Sequence, residues 1–256
     1  MKKVKQYLRT LVYESAGRYA LIKGSRKRFM NLGYKGLPLD LKPADAEEYL
    51  GFQLYHVASL NTNIKDKSIL EIGCGRGGGC YFFKEYKKAA SVTGIDLSKS
   101  NIKLARKHAV GDGINFFCQN AEKINLPNNS FDYIVNIESS HTYSDKKAFA
   151  QNVSRLLKPG GIFIYADTFI TDTIPKIKDY LKSMGFAIIE EKDITPGIIA
   201  SLHERPANRV SLFKKRIIPL FMKSFYGYAE SNIYKELNEG QKKYLSFICT
   251  KKDNTL

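Results

Sequence analysis

Ile69-Leu70-Glu71-Ile72-Gly73-Cys74-Gly75-Arg76-Gly77-Gly78-Gly79-Cys80 joins a short apolar run to a glycine-rich turn. The apolar run reads as a buried strand, with an acid, Glu71, near its end. Gly73, Gly75 and Gly77 follow at a spacing of two. Glycine tolerates φ > 0 and leaves bare backbone against which a bulky ligand can lie. Tyr81-Phe82-Phe83-Lys84-Glu85-Tyr86 then reads as a helix. Strand, glycine turn and helix together form the nucleotide-binding corner of a doubly wound α/β fold.

Working outward, Ser91-Val92-Thr93-Gly94-Ile95-Asp96 is the next strand, with an acid at its tip. An acid in that place accepts hydrogen bonds from both hydroxyls of a ribose. The loop itself is Glu-x-Gly-x-Gly-x-Gly, which differs from a dinucleotide loop and implies no pyrophosphate. It resembles motif I of the class I S-adenosylmethionine (SAM) methyltransferases.

The flanking sequence alternates regularly. Strands are expected at 68–73, 91–96, 114–119, 131–137 and 161–166, with helices at 78–87, 98–110 and 145–157. Lys158-Pro159-Gly160-Gly161 stops the last helix before its strand. A helix near 172–184 leads to strands at 186–191 and 244–250, the last forming an antiparallel edge. Such alternation means a mostly parallel sheet with helices on both faces. The resemblance implies a Rossmann-like α/β fold of seven strands. Residues 1–62 are expected as an N-terminal helical arm and cap, with helices over 1–30 and 44–61 and a loop at 30–38. Residues 63–256 are expected to form the SAM-binding domain that the resemblance implies. A lid-like insertion falls at about 194–240, in which 210–226 interleaves apolar and basic residues around Pro219.

Composition narrows the partners. A formal net charge of +16 points to an anionic surface, membrane or nucleic acid. Residues 1–38 carry ten basic residues against one acid, Glu14. No run of 18 or more apolar residues appears, and Glu14 and Arg18 interrupt what would be a signal's apolar region. Cys74, Cys80, Cys118 and Cys249 form no C-x-x-C pair, so neither a zinc nor a redox site is expected and no metal is assigned. Cys74 and Cys118, on or beside strands, are expected to be small buried residues. Reduced thiols point to the cytoplasm, with peripheral contact at the inner membrane surface as a further expectation.

Ligands bind outside the carboxyl ends of parallel strands. Strand four ends in Asn136-Ile137-Glu138-Ser139-Ser140-His141-Thr142-Tyr143 and strand five in Ala166-Asp167-Thr168. His141 and Asp167 are thereby placed as a base and its orienting carboxylate. Cys118-Gln119-Asn120-Ala121-Glu122 resembles the segment that flanks adenine, usually Gly-Asp-Ala-Glu. Asn120 replaces the aspartate and still accepts a hydrogen bond, without its charge.

Gln53-Leu54-Tyr55-His56-Val57-Ala58-Ser59, the glycine loop and the Glu-Ser-Ser-His block together resemble one subgroup over roughly residues 30–250. It contains the phthiotriol/phenolphthiotriol dimycocerosate and rifamycin-type polyketide O-methyltransferases. The resemblance implies methyl transfer from SAM to a hydroxyl of a hydrophobic lipid, polyketide or related natural product. It implies a cofactor site of Glu71 (on the methionine ammonium), Gly73, Cys74, Gly75, Gly77, Asp96 (on the ribose), Leu97, Asn120, Ala121 and Glu138. The acceptor would lie near Tyr34, Tyr55, His56 and Tyr143. Two alternatives stay open: an N- or C-methyltransferase of a small molecule, and a catalytically silent membrane- or partner-binding module. Nucleic-acid methylation is disfavoured. Strand four lacks the Asn/Asp-Pro-Pro-Tyr of amino-group methylases, and no Pro-Cys dipeptide supplies a nucleophile.

Overall fold

The computed structural model describes residues 2–109, 113–204 and 231–252, with side chains from residue 11 onward. Seven strands form one sheet: β1 Ser68–Ile72, β2 Ser91–Asp96, β3 Ile114–Cys118, β4 Phe131–Ile137, β5 Leu157–Ile170, β6 Phe186–Asp193 and β7 Lys242–Lys251. Their spatial order is β3-β2-β1-β4-β5-β7-β6. The first five run parallel, and β7 lies antiparallel between β5 and β6. The edge expected at 244–250 is instead formed by β6, and β7 is interior and buried from Tyr244 to Cys249.

Eight helices are described: α1 Lys2–Ile22, α2 Tyr49–Ala58, α3 Gly78–Glu85, α4 Lys99–His108, α5 Lys146–Leu156, α6 Ile174–Ser183, α7 Thr195–Glu204 and α8 Asn232–Asn238. Side chains at Ser98, Asp145 and Ser231 cap α4, α5 and α8 by accepting the backbone amides of Asn101, Ala148 and Tyr234. Buried apolar residues fill both sides of the sheet: Phe52, Phe82 and Phe83 on one, Phe163, Phe186 and Phe247 on the other.

Three elements differ from expectation. The first helix stops at Ile22, where Gly24 takes φ +59°, a left-handed turn that glycine enters without strain. The second begins as a 3-10 turn, Pro43–Glu48, whose Asp45 is drawn inward to Arg28 (2.7 Å) and to the hydroxyls of Tyr81 (3.0 Å) and Tyr86 (2.6 Å). Strand β5 starts at Leu157 and absorbs Lys158-Pro159-Gly160-Gly161 as a bulge: Leu157 pairs with Phe131, and Ile162 with Tyr133. Cys118 is exposed, not buried, because β3 is the sheet's edge. The stretch 210–226 lies outside the described residues.

The N-terminal helix packs on the sheet domain. A Cβ at Gly17 would lie 2.8 Å from Ser100 Cβ, so α1 and α4 touch backbone to side chain there. Glu14 fixes this contact. It accepts hydrogen bonds from Ser98 Oγ (2.8 Å), Ser100 Oγ (2.6 Å) and the Ser100 amide (3.2 Å), at the amino end of α4. Burial alone would raise its pKa, but these hydrogen bonds outweigh it and hold the carboxyl at about 2. The stabilisation is thus complete above the ordinary value of 4.5 and lost as pH falls toward 2. Glu14→Ala is expected to cost about 1–2 kcal/mol at neutral pH by chemical denaturation. The gap between variant and wild type should close in the acid range; a pH-independent gap would show that packing, not charge, is lost.

Candidate active site

The order of the strands reverses direction between β1 and β4, and this switch point opens a cavity of about 870 Å³. Its first wall is the glycine loop. Gly73 (φ +77°) lets the end of β1 meet the turn after β4: a Cβ there would sit 2.4 Å from Ser139 Oγ. Gly75 (φ +53°) faces open space, its nearest neighbour for an added Cβ being Met30 Sδ at 3.5 Å. This is backbone left bare for a ligand.

Asp96, half-buried at the tip of β2, accepts the Gly75 amide (3.0 Å) on Oδ2 and the Ser98 amide (2.8 Å) on Oδ1. Burial raises its pKa, an effect those amides partly offset. The Asn101 side chain donates to Asp96 as well, and the carboxylate keeps accepting capacity toward the cavity for a ribose hydroxyl. Leu97, Asn120 and Ala121 continue the same wall, with Cys74 beside the glycines.

Glu71 and Gly77 do not line the cavity. Glu71 is fully buried behind Tyr55 and Gly79, accepting Tyr55 OH (2.6 Å) and Cys80 Sγ (3.0 Å). Burial pushes its pKa up to about 7 despite those two hydrogen bonds. Gly77 takes φ +83° at the start of α3 and packs under Phe116.

The opposite wall carries His141 and Asp167. A 3-10 turn, Ser140–Thr142, follows β4 and turns His141 toward the end of β5. Asp167 is buried and accepts four hydrogen bonds: from His141 Nδ1 (2.9 Å), the His141 amide (3.0 Å), Ser140 Oγ (2.7 Å) and the Thr168 amide (2.8 Å). Burial opposes its charge, but His141 and the other donors outweigh burial and hold its pKa below the usual value. An ionised Asp167 only accepts, so Nδ1 of His141 carries the hydrogen and Nε2 is left as the base. By the same logic Ser140 gives its proton to Asp167 and receives one from Tyr165 OH, 2.7 Å away. His141 remains 43% exposed, open to the cavity it lines.

Glu138 stands between the two walls with φ +52°, an uncommon conformation for a residue with a side chain. Its carboxylate accepts the Leu32 amide on both oxygens (3.0 and 2.9 Å), and its own amide donates to Ala166 O (2.9 Å). The segment from Arg28 to Leu32, read from sequence as the end of a helix and the start of a loop, thus forms a roof over the cavity. Glu48 accepts the Arg28 and Phe29 amides (2.8 and 2.9 Å) and Ser201 Oγ donates to Leu32 O (2.9 Å), fixing that roof from outside.

Of the aromatic and histidine side chains expected near the acceptor, Tyr55 and Tyr143 line the cavity. Tyr143 OH meets Ser139 Oγ (2.9 Å) and Asn136 Nδ2 (3.0 Å). Tyr34 instead packs its ring on Gly197 of α7, where a Cβ would lie 2.0 Å from it. His56 is half-buried away from the cavity, its pKa lowered by burial and by Lys87. Sequence reasoning missed Tyr13, Asn101 and the group Ile233, Glu236 and Lys242, which also line it. Their placement comes from the docking of helices and, for Lys242, from the start of β7, and carries no local motif.

The family model of the methyltransferase domain matches residues 70–165, from β1 to β5. The fatty-acid O-methyltransferase of Mycolicibacterium smegmatis is 29% identical over 255 residues, covering 97% of this chain and 92% of that one. The phthiotriol/phenolphthiotriol dimycocerosates methyltransferase of Mycobacterium tuberculosis is 28% identical over 230 residues, covering 87% and 85%. Among solved structures, the chain resembles the O-methyltransferase of a trans-AT polyketide synthase of Brevibacillus brevis in complex with S-adenosyl-L-homocysteine. The TM-score is 0.66 at 19% identity, with 86% of this chain and 83% of that one covered. The fold is that of the class I methyltransferases, and the chain is a SAM-dependent methyltransferase. The bare glycine backbone, the Asp96 carboxylate at the cavity wall and the size of the cavity fit that cofactor.

Asp96→Ala is expected to weaken SAM binding roughly tenfold to a hundredfold, the cost of a charge-assisted hydrogen-bond partner. Calorimetric titration measures it; unchanged affinity would remove Asp96 from the cofactor site.

Proposed function

We propose that the chain methylates a hydroxyl of a hydrophobic small molecule, a lipid, polyketide or related natural product. The observation that carries this reading is the His141–Asp167 pair, 2.9 Å apart at the cavity wall facing Asp96 and the glycine loop. The names of the two curated relatives, which act on fatty acids and on phthiotriols, support a lipid-like acceptor. Phe29, Leu32, Ile137 and Ile233 give the cavity apolar walls suited to such a molecule.

SAM, when bound, supplies a methyl group that is already strongly electrophilic. The protein's task is to align an oxygen and to take its proton. Nε2 of His141 accepts the hydroxyl proton as the oxygen attacks. The positive charge formed on the ring is balanced by Asp167, which keeps the Nδ1 hydrogen and so fixes the ring's orientation. Gly73, Cys74, Gly75, Leu97, Asn120 and Ala121 would hold the cofactor, with Asp96 on its ribose. Glu138 would position the cofactor's edge by fixing the roof. Glu71 would act on the methionine end through the Tyr55 and Gly79 wall, and Gly77 by setting the start of α3. Tyr55 and Tyr143 would contact the acceptor. Residues 1–62 serve as a cap in this reading; the insertion at about 194–240, expected as a lid, lies for residues 205–230 outside the described residues. A peripheral contact with an anionic membrane surface belongs to the same reading, motivated by the net charge of +16.

Incubation with methyl-labelled SAM and a hydroxylated lipid extract, read by mass spectrometry, tests the reaction. A labelled methyl ether supports it; a labelled amine or carbon, or SAM left intact, overturns it. His141→Ala should retain SAM binding and lower turnover by about 10²–10⁴-fold, the span of a general base. Asp167→Asn should slow turnover less, because the base remains. Near-wild-type turnover in His141→Ala would leave proximity as the sole source of catalysis.

A further inference from the structure

Helix α1 is oriented against its own composition. It buries its small residues, Gly17 and Ala20, against the sheet domain. It leaves Leu11, Tyr19 and Ile22 exposed, Ile22 by 83%. At 100° per residue, Leu11, Ser15, Arg18, Tyr19 and Ile22 fall on one helical face. An apolar stripe that faces outward on a docked helix calls for an occupant.

The charges around the stripe say what kind. Arg18, Lys23, Arg26 and Lys27 are all exposed along α1 and the turn after it. On α4, the helix α1 packs against, Lys99, Lys103, Arg106 and Lys107 are exposed too. No acid occurs between residues 97 and 109. The only acid in residues 1–38, Glu14, is turned onto Ser98 and Ser100 and, among the described residues, pairs on the surface with Arg18 alone (3.4 Å), leaving Lys23, Arg26 and Lys27 clear of it. The surface therefore presents cations with its one carboxylate withdrawn. A second copy of the chain would bring like charge against like. A nucleic acid would satisfy the cations but leave the apolar stripe in water. An anionic bilayer satisfies both, cations at the headgroups and apolar side chains at the acyl boundary.

We propose that the exposed face of α1, flanked by α4, is a docking surface for anionic membrane. This gives a location to the membrane contact of the reading above, and it does not depend on methyl transfer. Contact on this face leaves the glycine loop and His141 untouched, since none of its basic residues lines the cavity. Docked in this way, the protein would work where a hydrophobic acceptor is concentrated.

Co-sedimentation of the full chain with phosphatidylcholine vesicles, with and without phosphatidylglycerol, tests the surface. Binding is expected only with phosphatidylglycerol and should fall steeply with added salt. Each cation near the surface is worth about fivefold in partitioning, so the combined Lys23→Glu, Arg26→Glu and Lys27→Glu variant should lose more than a hundredfold. Ile22→Asp should weaken binding while leaving the charges in place. Unaltered SAM affinity in both variants verifies that they are folded. Three results would overturn the proposal: no binding to anionic vesicles, undiminished binding in both variants, or binding to duplex nucleic acid in place of vesicles. None of these would bear on whether the enzyme methylates a hydroxyl, which the labelled-SAM assay decides separately.

Discussion

The approach of Gly73 to Ser139 is the contact on which the site depends. Strands β1 and β4 are neighbours in the sheet, and their carboxyl ends must turn away in opposite directions to open a cleft. They separate only after touching: a Cβ on Gly73 would overlap Ser139 Oγ at 2.4 Å. Asn136 closes the same joint from within, donating to Ile72 O (2.9 Å) and Ser139 Oγ (2.7 Å). A side chain at residue 73 would push the β4 turn outward. Glu138, His141 and the Asp167 contact would move with it, because all three hang from that turn.

From this joint the two walls acquire different chemistry. The β1–β2 side offers backbone, one half-buried carboxylate and small residues, which is a binding surface. The β4–β5 side offers a histidine held by a carboxylate that is itself satisfied four times. Saturating Asp167 keeps it an anion in a buried place, where an unpaired charge would be costly. The ring is thus oriented by an acceptor that has no alternative conformation to adopt. Glu138, strained at φ +52°, ties the roof to this same turn through Leu32. Binding surface, base and roof are parts of one hydrogen-bonded unit and not three separate features.

Much of this was legible in the sequence, and the failures have physical reasons. The glycine spacing, the acid at the tip of β2 and the His-and-Asp strand ends are local patterns tied to backbone geometry, so their places followed from topology. Glu71 was harder to place because β1 is buried on both faces. Without alternation between apolar and polar residues, parity does not tell which side an acid points to. Tyr34 was placed near the acceptor by the resemblance alone; its ring is held by Gly197, a partner far along the chain. Cys118 was read as buried because a strand was recognised but its position at the sheet's edge was not. The Leu32–Glu138 latch joins segments remote in sequence through a backbone amide, a contact without any side-chain signature on one of its partners.

Charge is segregated in this molecule, and that segregation bears on how a cationic cofactor is received. The chain carries +16 overall, which repels a cation at a distance. Within the site the balance is reversed. Of the cations on the lining, Arg28 and Lys242 are paired with Asp45 and Glu236, and Arg76 is outnumbered by Asp96 and Glu138, with Asp167 at the wall and Glu71 behind Tyr55. At sub-nanometre range in a partly dry cleft these carboxylates outweigh the distant surface charge, which solvent and salt screen. Glu71 responds most to such a neighbour. Its pKa of about 7 reflects burial with only neutral hydrogen-bond donors, Tyr55 and Cys80, around it. A positive charge arriving at the Tyr55 wall favours the ionised form and lowers that pKa. The buried acid, near the midpoint of its titration at neutral pH, thus shifts toward the charged form as a cation arrives to balance it.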